Sequence, residues 1–289
     1  MLAVSLSQVP HGAGRAYRTD LQTFTSVIGP KVTAKRLDRH MLRRYITHLH
    51  ERGSSGKTLR RYFASVKSFC NWLDGEGLLD IALLESVRVT RRFSTLPHVP
   101  SEAEVKQLLD GEIPTSAPER DRAILELLYG AGLRVSELVN INLEDFIDKD
   151  LLLIRGKGKK ERQVIFGQYA QDAIAAWLPV RSEFVRQFKL DTPALLFSVG
   201  PKHSAERLDV RSVLRTLKQI AEARGFDPKQ WHPYTLRHCC ATHMYDHNAP
   251  LQAIATLLGH ARLSTAQIYT RVSVGRMMRA YRTAHPHAK

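Results

Sequence analysis

Apolar residues recur every three or four positions through most of this chain, which is the spacing of amphipathic helices. Residues 15–88 contain three such segments in succession: RAYRTDLQTFTSVI, DRHMLRRYITHLHERG and GKTLRRYFASVKSFCNWLDGEG. Ser54 or Ser55 can cap the third helix, which has one apolar stripe made of Leu59, Phe63, Val66, Cys70 and Leu73. The N-terminal third is therefore predicted to be a small helical unit.

A proline-containing joint, VTRRFSTLPHVPSEAEVKQLLD, follows this unit. Pro97 and Pro100 interrupt regular structure, and Ser101 with Glu104 forms a capping box for the next helix. We expect a domain boundary here because few contacts cross such a joint. The predicted segments are a helical DNA-binding domain at 1–92, a linker at 93–100 and a second domain at 101–289.

The second domain is predicted to be mainly helical with one small sheet. LLLIRGKGKKERQVIF has two short apolar runs around a Gly-Lys-rich turn, the pattern of a β-hairpin, and LEDFIDKD before it reads as a solvated strand edge. Helical periodicity accounts for the other segments, which are APERDRAILELLYGAGLRVSELVNI, AQDAIAAWLPVRSEFVRQF, RSVLRTLKQIAEAR and PLQAIATLLGH. The fold class is mainly α, in two domains, with a small antiparallel β-sheet.

The charge balance predicts a polyanionic partner. The 289 residues hold 43 Lys and Arg against 28 Asp and Glu, a net charge of +15. Residues 1–92 hold 16 basic and 7 acidic side chains, so the excess is densest there. Nucleic acid is favoured over a membrane surface. The third helix offers Lys57, Arg60, Arg61 and Lys67 for DNA contact, although such charges are also common on a merely solvated face.

A cytoplasmic location is expected from the sequence. It has no run of about 18 apolar residues, and MLAVSLSQVPHGAGR lacks the basic start and apolar core of a secretory signal. Cys70, Cys239 and Cys240 have no C-x-x-C spacing and are read as reduced thiols.

The stretch WHPYTLRHCCATHM raises the question of a metal site. Adjacent cysteines on a helix point about 100° apart, and His238 and His243 are too far apart in sequence for one helical face. We therefore predict no metal, with the cysteines packed in a core. Pro233 suits the first helical position and would place Tyr234, Arg237 and His238 on one side of the opening turns.

Two arginines are candidates for phosphate binding. Arg237 lies in this stretch, and Arg134 follows a glycine-containing break in GAGLRVSEL. A guanidinium binds two phosphate oxygens at once and keeps its charge, so a converging pair would stabilise a phosphodiester under attack. Each could equally form an ordinary structural salt bridge.

Two further groups could take part in the same chemistry. Lys157 lies between glycines in the hairpin turn, where it could protonate a leaving oxygen or be simply an exposed basic residue. In LLGHARLSTAQIYTRVS, Gly259 ends one helix, while Ser264 and Gln267 can cap the next. Tyr269 would be a nucleophile only if nearby cations favoured its phenolate, and is otherwise a packing residue.

Taken in order, GAGLRVSELVNI, GKGKKER, TLRHCCATHM and LLGHARLSTAQIYTRV resemble the motifs of the tyrosine site-specific recombinases, and those of the Xer branch most closely. The nine-residue step from His260 to Tyr269 is part of that pattern, and the resemblance extends from about residue 15 to the end. It implies a SAM-like core-binding domain followed by an α-rich catalytic domain, both closing around duplex DNA.

The resemblance also implies roles for single residues. Arg134 and Arg237 would bind the scissile phosphate, Lys157 would be the general acid for the 5′ oxygen, His260 would bond the phosphate, and Tyr269 would form a 3′-phosphotyrosyl link. Neither a metal nor another cofactor is implied. A homo- or hetero-tetramer would exchange strands between two sites through a Holliday junction, for chromosome dimer resolution or for mobile-element integration and excision. The C-terminal segment could fold back locally, or dock on the neighbouring subunit as the family suggests.

Two positions depart from the family pattern. Tyr234 stands where the family usually has His or Lys, so a phosphate-binding role there is doubtful, since a phenol brings no charge and is a poor base at pH 7. A Pro/Gly-containing stub precedes residue 15, where the family has an additional helix. The stub bears on assembly of the protomers, whereas Tyr234 favours an alternative function, that of a catalytically weak or inactive DNA-binding relative or accessory factor. The recombination site and the identity of any partner recombinase are not encoded in these patterns.

Overall fold

The computed structural model of the chain describes residues 15–29, 32–79, 99–155, 161–199, 206–259 and 271–288. The chain divides into two compact units, residues 1–97 and 98–289. The proposed linker at 93–100 lies mostly outside the described residues, so its bounds stay a prediction. Across the described segments, no helix is both long and apolar enough to cross a membrane.

The described part of the first unit is built from α-helices and one short 3-10 turn. The α-helices are α1 (Arg15–Ile28), α2 (Arg39–Glu51) and α3 (Gly56–Gly75). Asp38 caps α2 by accepting from the Met41 N–H over 2.8 Å. Ser55, rather than Ser54, caps α3 by accepting from the Thr58 N–H over 3.2 Å. Helical periodicity therefore located all three helices.

The predicted apolar stripe of α3 is the inner face of this unit. Leu59, Val66, Cys70 and Leu73 are buried, and Phe63 is half-buried. Opposite them, the rings of Phe24 on α1 and Tyr45 on α2 pack edge to face, with centroids 5.0 Å apart. Burial of these faces against one another stabilises helices that would be marginal alone.

The second unit is mainly helical, as predicted. Its elements are α4 (Glu102–Leu109), α5 (Pro118–Gly130), α6 (Val135–Leu138), β1 (Phe146–Asp148), β2 (Leu151–Arg155), β3 (Glu161–Ile165), α7 (Gln168–Gln187), α8 (Val210–Ala223), α9 (Pro233–Asp246), α10 (Leu251–Leu258) and α11 (Arg271–Ala284). Ser101 and Glu104 form the predicted capping box at the start of α4.

The sheet is antiparallel, in the order β1-β2-β3. Strands β2 and β3 pair from Leu151↔Ile165 to Arg155↔Glu161, which is the predicted hairpin. The expectation of a solvated edge at LEDFIDKD was wrong at Asp145, which is only 3% exposed. Its carboxylate accepts from the Asn142 N–H and pairs with Arg155, so these two partners compensate the burial of its charge.

The cysteines of WHPYTLRHCCATHM lie in the core, as predicted. Cys239 and Cys240 on α9 have no exposed surface, and burial raises the pKa of each thiol to about 12. His243 is also buried and bonds within the fold, with Nδ1 3.0 Å from the Tyr129 hydroxyl and Nε2 3.0 Å from the Pro100 carbonyl. Among the residues that the structure describes, no cluster of His, Cys, Asp or Glu is arranged to hold a metal ion.

The C-terminal helix α11 packs on its own chain. Met277 and Tyr281 are buried, and the Tyr281 hydroxyl donates to the Gly130 carbonyl at the end of α5 over 2.8 Å. Beyond α11, His287 Nδ1 lies 2.9 Å from a carboxylate oxygen of Glu126 on α5. In the structure this segment packs on α5 of its own chain, and its docking on a neighbouring subunit stays a prediction.

Candidate active site

Arg237 lies one turn into α9, and its guanidinium is buried. Pro233 is the first residue of the helix, as predicted, and His232 precedes it as the N-cap. The residue is 5% exposed, and two hydrogen bonds of 2.6 Å fix its guanidinium: Nη1 donates to the Gly132 carbonyl and Nη2 to the Leu258 carbonyl. This arginine therefore connects three separate segments of the second unit.

Arg134 follows the break between α5 and α6. Gly132 has a φ of +57°, and a Cβ on it would lie 2.8 Å from the Leu258 side chain, so the turn requires glycine. Arg134 occupies the N-cap position of α6, and its side chain keeps 43% of its surface exposed. Its Nη1 donates to Glu137 over 2.7 Å and its Nη2 to the Gly259 carbonyl over 3.2 Å.

Glu137 connects the two arginines to a third, Arg162. Its carboxylate accepts from the backbone and the side chain of Arg134 and lies 3.8 Å from the Arg237 guanidinium. Arg162 on β3 donates to both carboxylate oxygens, over 2.7 and 2.9 Å. Because three guanidinium groups share one carboxylate, the cluster keeps an excess of positive charge. Such an excess suits a phosphate.

The C-terminus of α10 completes this arrangement. Its last carbonyls have no partner within the helix, and each accepts from a different guanidinium. Leu257 bonds with Arg162, Leu258 with Arg237 and Gly259 with Arg134. Gly259 ends the helix at a φ of +65°, as its sequence position predicted. The arginine cluster thus holds the residue immediately before His260.

Charge and burial shift the pKa values within the cluster. Burial opposes ionisation of Glu137, but the hydrogen bonds and charge of Arg162, together with those of Arg134, outweigh it and lower the pKa of this carboxyl to about 2. Burial and the nearby Arg134 charge lower the pKa of Arg237 to about 10. At neutral pH Glu137 and Arg237 therefore both stay charged.

Tyr234 and Arg237 do not point the same way, although the sequence placed them on one side of α9. Tyr234 is 74% exposed and stacks on the ring of His238, with centroids 6.1 Å apart. Arg237 turns inward because the carbonyls of Gly132 and Leu258 lie there. His232 is exposed at the helix cap and makes no capping bond. The surface beside the cluster thus carries an aromatic pair.

Three predicted catalytic residues, Lys157, His260 and Tyr269, lie outside the described residues, and their roles stay predictions. The structure therefore brings together Arg134 and Arg237 of the predicted set.

In the predicted DNA-binding set, Arg60 and Lys67 are exposed on α3, and the side chain of Lys57 is outside the described part. Arg61 is half-exposed and pairs with the buried Asp20, an interaction that the sequence did not indicate.

Sequence reasoning missed Glu137 and Arg162. Both have a recognisable signal in hindsight. Glu137 lies three residues after Arg134, within reach on one helical turn. Arg162 lies two residues from Val164, so it occupies an inward-facing position of β3. A charged residue in that phase of a strand indicates a buried partner.

Comparison with known proteins places the chain in a family. Residues 99–276 match the model of the phage integrase family, and residues 8–77 match the phage integrase N-terminal SAM-like domain. The two matches fall in the two units of the structure.

Curated relatives and solved structures agree with these matches. The tyrosine recombinase XerC of Corynebacterium efficiens is 39% identical over 95% of this chain and 85% of its own, and that of Syntrophus aciditrophicus is 40% identical over 88% and 82%. Among solved structures, the XerH site-specific recombinase bound to its difH substrate covers 92% of this chain and 78% of its own, with a TM-score of 0.64 at 22% identity. The chain therefore belongs to the phage integrase family, the tyrosine site-specific recombinases.

Proposed function

We propose that this recombinase cuts and rejoins duplex DNA through a covalent link between Tyr269 and a 3′ phosphate. One observation carries the proposal: the guanidinium groups of Arg134 and Arg237 meet at Glu137 and at the carbonyls that immediately precede His260. A positively charged cluster at the residue before the His260–Tyr269 segment suits phosphodiester attack.

In the proposed cleavage step, the Tyr269 oxygen attacks phosphorus and gives up its phenolic proton to solvent water as the new P–O bond forms. The bond from phosphorus to the 5′ oxygen breaks, and Lys157 donates a proton to that oxygen as it leaves. One phosphoester replaces another, so rejoining by a 5′ hydroxyl needs no energy source. No metal or other cofactor takes part.

The two arginines have different surroundings, and we infer different contributions from them. Arg134 keeps 43% of its side chain exposed, so its guanidinium can bind phosphate oxygens directly. Arg237 already donates to two carbonyls and is 7% exposed at its side chain, so it contributes fixed positive charge at close range. Preorganised charge of this kind stabilises a transition state without reorganisation.

Double-stranded DNA is the proposed partner, with α3 among its contacts. Arg60 and Lys67 are exposed there, and Lys57 belongs to the same helix. Structural neighbours support this, since XerH is described with its difH substrate and lambda integrase as a dimer on a core site. We further propose a homo- or hetero-tetramer on two recombination sites, with strand exchange through a Holliday junction. Chromosome dimer resolution and mobile-element transfer are both compatible with this chemistry.

A nicked suicide substrate tests the chemistry. Cleavage near the nick releases a short fragment, so rejoining fails and the covalent protein–DNA adduct accumulates. The wild-type chain should form an adduct that resists denaturation and is insensitive to EDTA, whereas Tyr269→Phe should bind the same DNA and form none. Adduct formation by Tyr269→Phe would contradict the proposal. The proposal would also fail if the wild-type chain formed no adduct on any half-site that it binds.

Tyr234 favours a second candidate function, a DNA-binding relative that cuts slowly or not at all. Tyr234 is 74% exposed at the start of α9, three residues before Arg237, and its phenol brings no charge to a phosphate. Loss of one proton-transfer or phosphate-binding group typically slows an enzyme by about 10² to 10⁴. The suicide substrate separates the two functions, because a non-cutting relative binds it without forming an adduct.

A further inference from the structure

Arg162 is a charged residue at an inward-facing position of the sheet, and it is 7% exposed. Its guanidinium spans both oxygens of Glu137, and its Nε donates to the Leu257 carbonyl over 3.4 Å. Burying a cation costs free energy unless such partners compensate it. Arg162 therefore has one well-defined position, fixed by α6 on one side and α10 on the other.

The stem of Arg162 packs directly against Gly259. A Cβ on Gly259 would lie 2.8 Å from Cδ of Arg162 and 2.9 Å from its Nε, so only glycine allows this approach. The Arg162 side chain thus supports the residue whose carbonyl accepts from Arg134. Any displacement of Arg162 will therefore shift Gly259 at the C-terminus of α10.

We propose that Arg162 is a positioning residue for strand cleavage, which holds the guanidinium groups of Arg134 and Arg237 in place for the phosphate through Glu137 and the C-terminus of α10. The inference rests on the proposed function, since that function assigns phosphate binding to Arg134 and a fixed positive charge beside the phosphate to Arg237. Arg162 itself need not touch DNA.

Geometry explains why another cation would not replace it. A bidentate arginine fixes the plane of the carboxylate, whereas an ammonium binds it as a point charge. Glu137 receives Arg134 at 2.7 Å but Arg237 only at 3.8 Å. Without the two bonds from Arg162, its carboxylate can rotate towards Arg134 and alter the distance between the two guanidinium groups. Misplacement by about 1 Å can cost about 10²-fold in rate.

The test compares Arg162→Lys with Arg181→Lys. Arg181 on α7 is a matched control because it is also buried, at 5% exposure, and its hydrogen bonds go to the carbonyls of Thr192 and Ala194, outside the arginine cluster. For each variant, the single-turnover rate of adduct formation on the nicked substrate and the DNA dissociation constant are measured separately. Arg162→Lys should slow adduct formation about 10- to 100-fold with little change in DNA affinity, and Arg181→Lys should change neither.

A double-mutant cycle tests the route through Glu137. If Arg162 acts through this carboxylate, Glu137→Gln combined with Arg162→Lys should be no slower than the slower single variant. Fully multiplicative losses would overturn the inference, as would an Arg162→Lys rate equal to the wild type or equal losses in Arg162→Lys and Arg181→Lys. If the wild-type chain forms no adduct, the proposed function fails, and the inference fails with it. A wild-type adduct with unchanged Arg162→Lys kinetics overturns the inference alone.

Discussion

Gly167 should be the most sensitive position for docking of the C-terminal residues. It caps α7 and accepts from the Gln171 N–H through its carbonyl, so its backbone is held by the helix. A Cβ at this position would lie 1.9 Å from the His287 carbonyl oxygen and 2.7 Å from Cα of Ala288. Neither contact is tolerable, so in Gly167→Ala the terminal residues must withdraw by more than about 1 Å.

The expected cost follows from what that withdrawal breaks. His287 loses its buried 2.9 Å contact with Glu126 and its stacking on Tyr169, whose ring centroid is 4.4 Å away. A buried hydrogen bond to a charged group contributes about 1.5–3 kcal/mol. For Gly167→Ala we therefore expect a loss of about 2 kcal/mol in the free energy of unfolding, a fall of about 4–8 °C in Tm, and amide exchange about 30-fold faster at Ala288.

Hydrogen exchange and thermal unfolding measure these effects, with two controls. Gly75→Ala places a Cβ where no atom lies within 4 Å, and its Tm should stay close to the wild type. In a chain ending at Ala284, Gly167→Ala should cost only the change of N-cap residue, about 0.5–1 kcal/mol. Equal costs in the full-length and shortened chains would refute the reasoning, as would unchanged protection of Ala288 in the full-length variant.

Three further predictions concern single side chains at the surface. Tyr234→His should raise the rate of adduct formation by about 10-fold or more, because an imidazole can bind phosphate and transfer protons. Tyr245→His, at an exposed position on the same helix, should leave that rate unchanged. Equal rate increases in the two variants would contradict a specific role for position 234. Arg61→Gln should destabilise the first unit by about 1–3 kcal/mol because it leaves the buried Asp20 without its cation. Arg60→Gln should leave Tm unchanged but reduce the slope of log K for DNA binding against log salt concentration by about one phosphate contact. An unchanged slope would show that Arg60 does not contact DNA phosphate.

Much of the fold could be predicted from local sequence. The helix RAYRTDLQTFTSVI begins and ends where its periodicity does, and the hairpin and the Ser101 capping box formed as expected. These features depend on residues within a few positions of one another, so a short window contains the information. The family resemblance was confirmed over most of the chain.

The candidate site could be predicted only in part. The planar, permanently charged side chains of Arg134 and Arg237 made them candidate phosphate ligands in the sequence, but Glu137 and Arg162 went unnoticed. Arg162 is 25 residues from Glu137 and 95 from Leu257, and only the packing of β3 against α6 and α10 brings the three together. The direction of the Arg237 side chain was likewise decided by distant carbonyls rather than by its place on α9.

By itself, the sequence determined the secondary structure, the excess of positive charge and the kinds of side chain available for chemistry. Periodicity and capping act over single turns, and charge is a sum over residues that needs no fold. Tertiary structure decided which groups pair with one another. Arg61 pairs with Asp20, three arginines surround Glu137, and the C-terminal residues pack on α5 and α7. Electrostatic energy depends on the distance between the two groups of each pair and on their burial, and both are set only when each unit packs its own core.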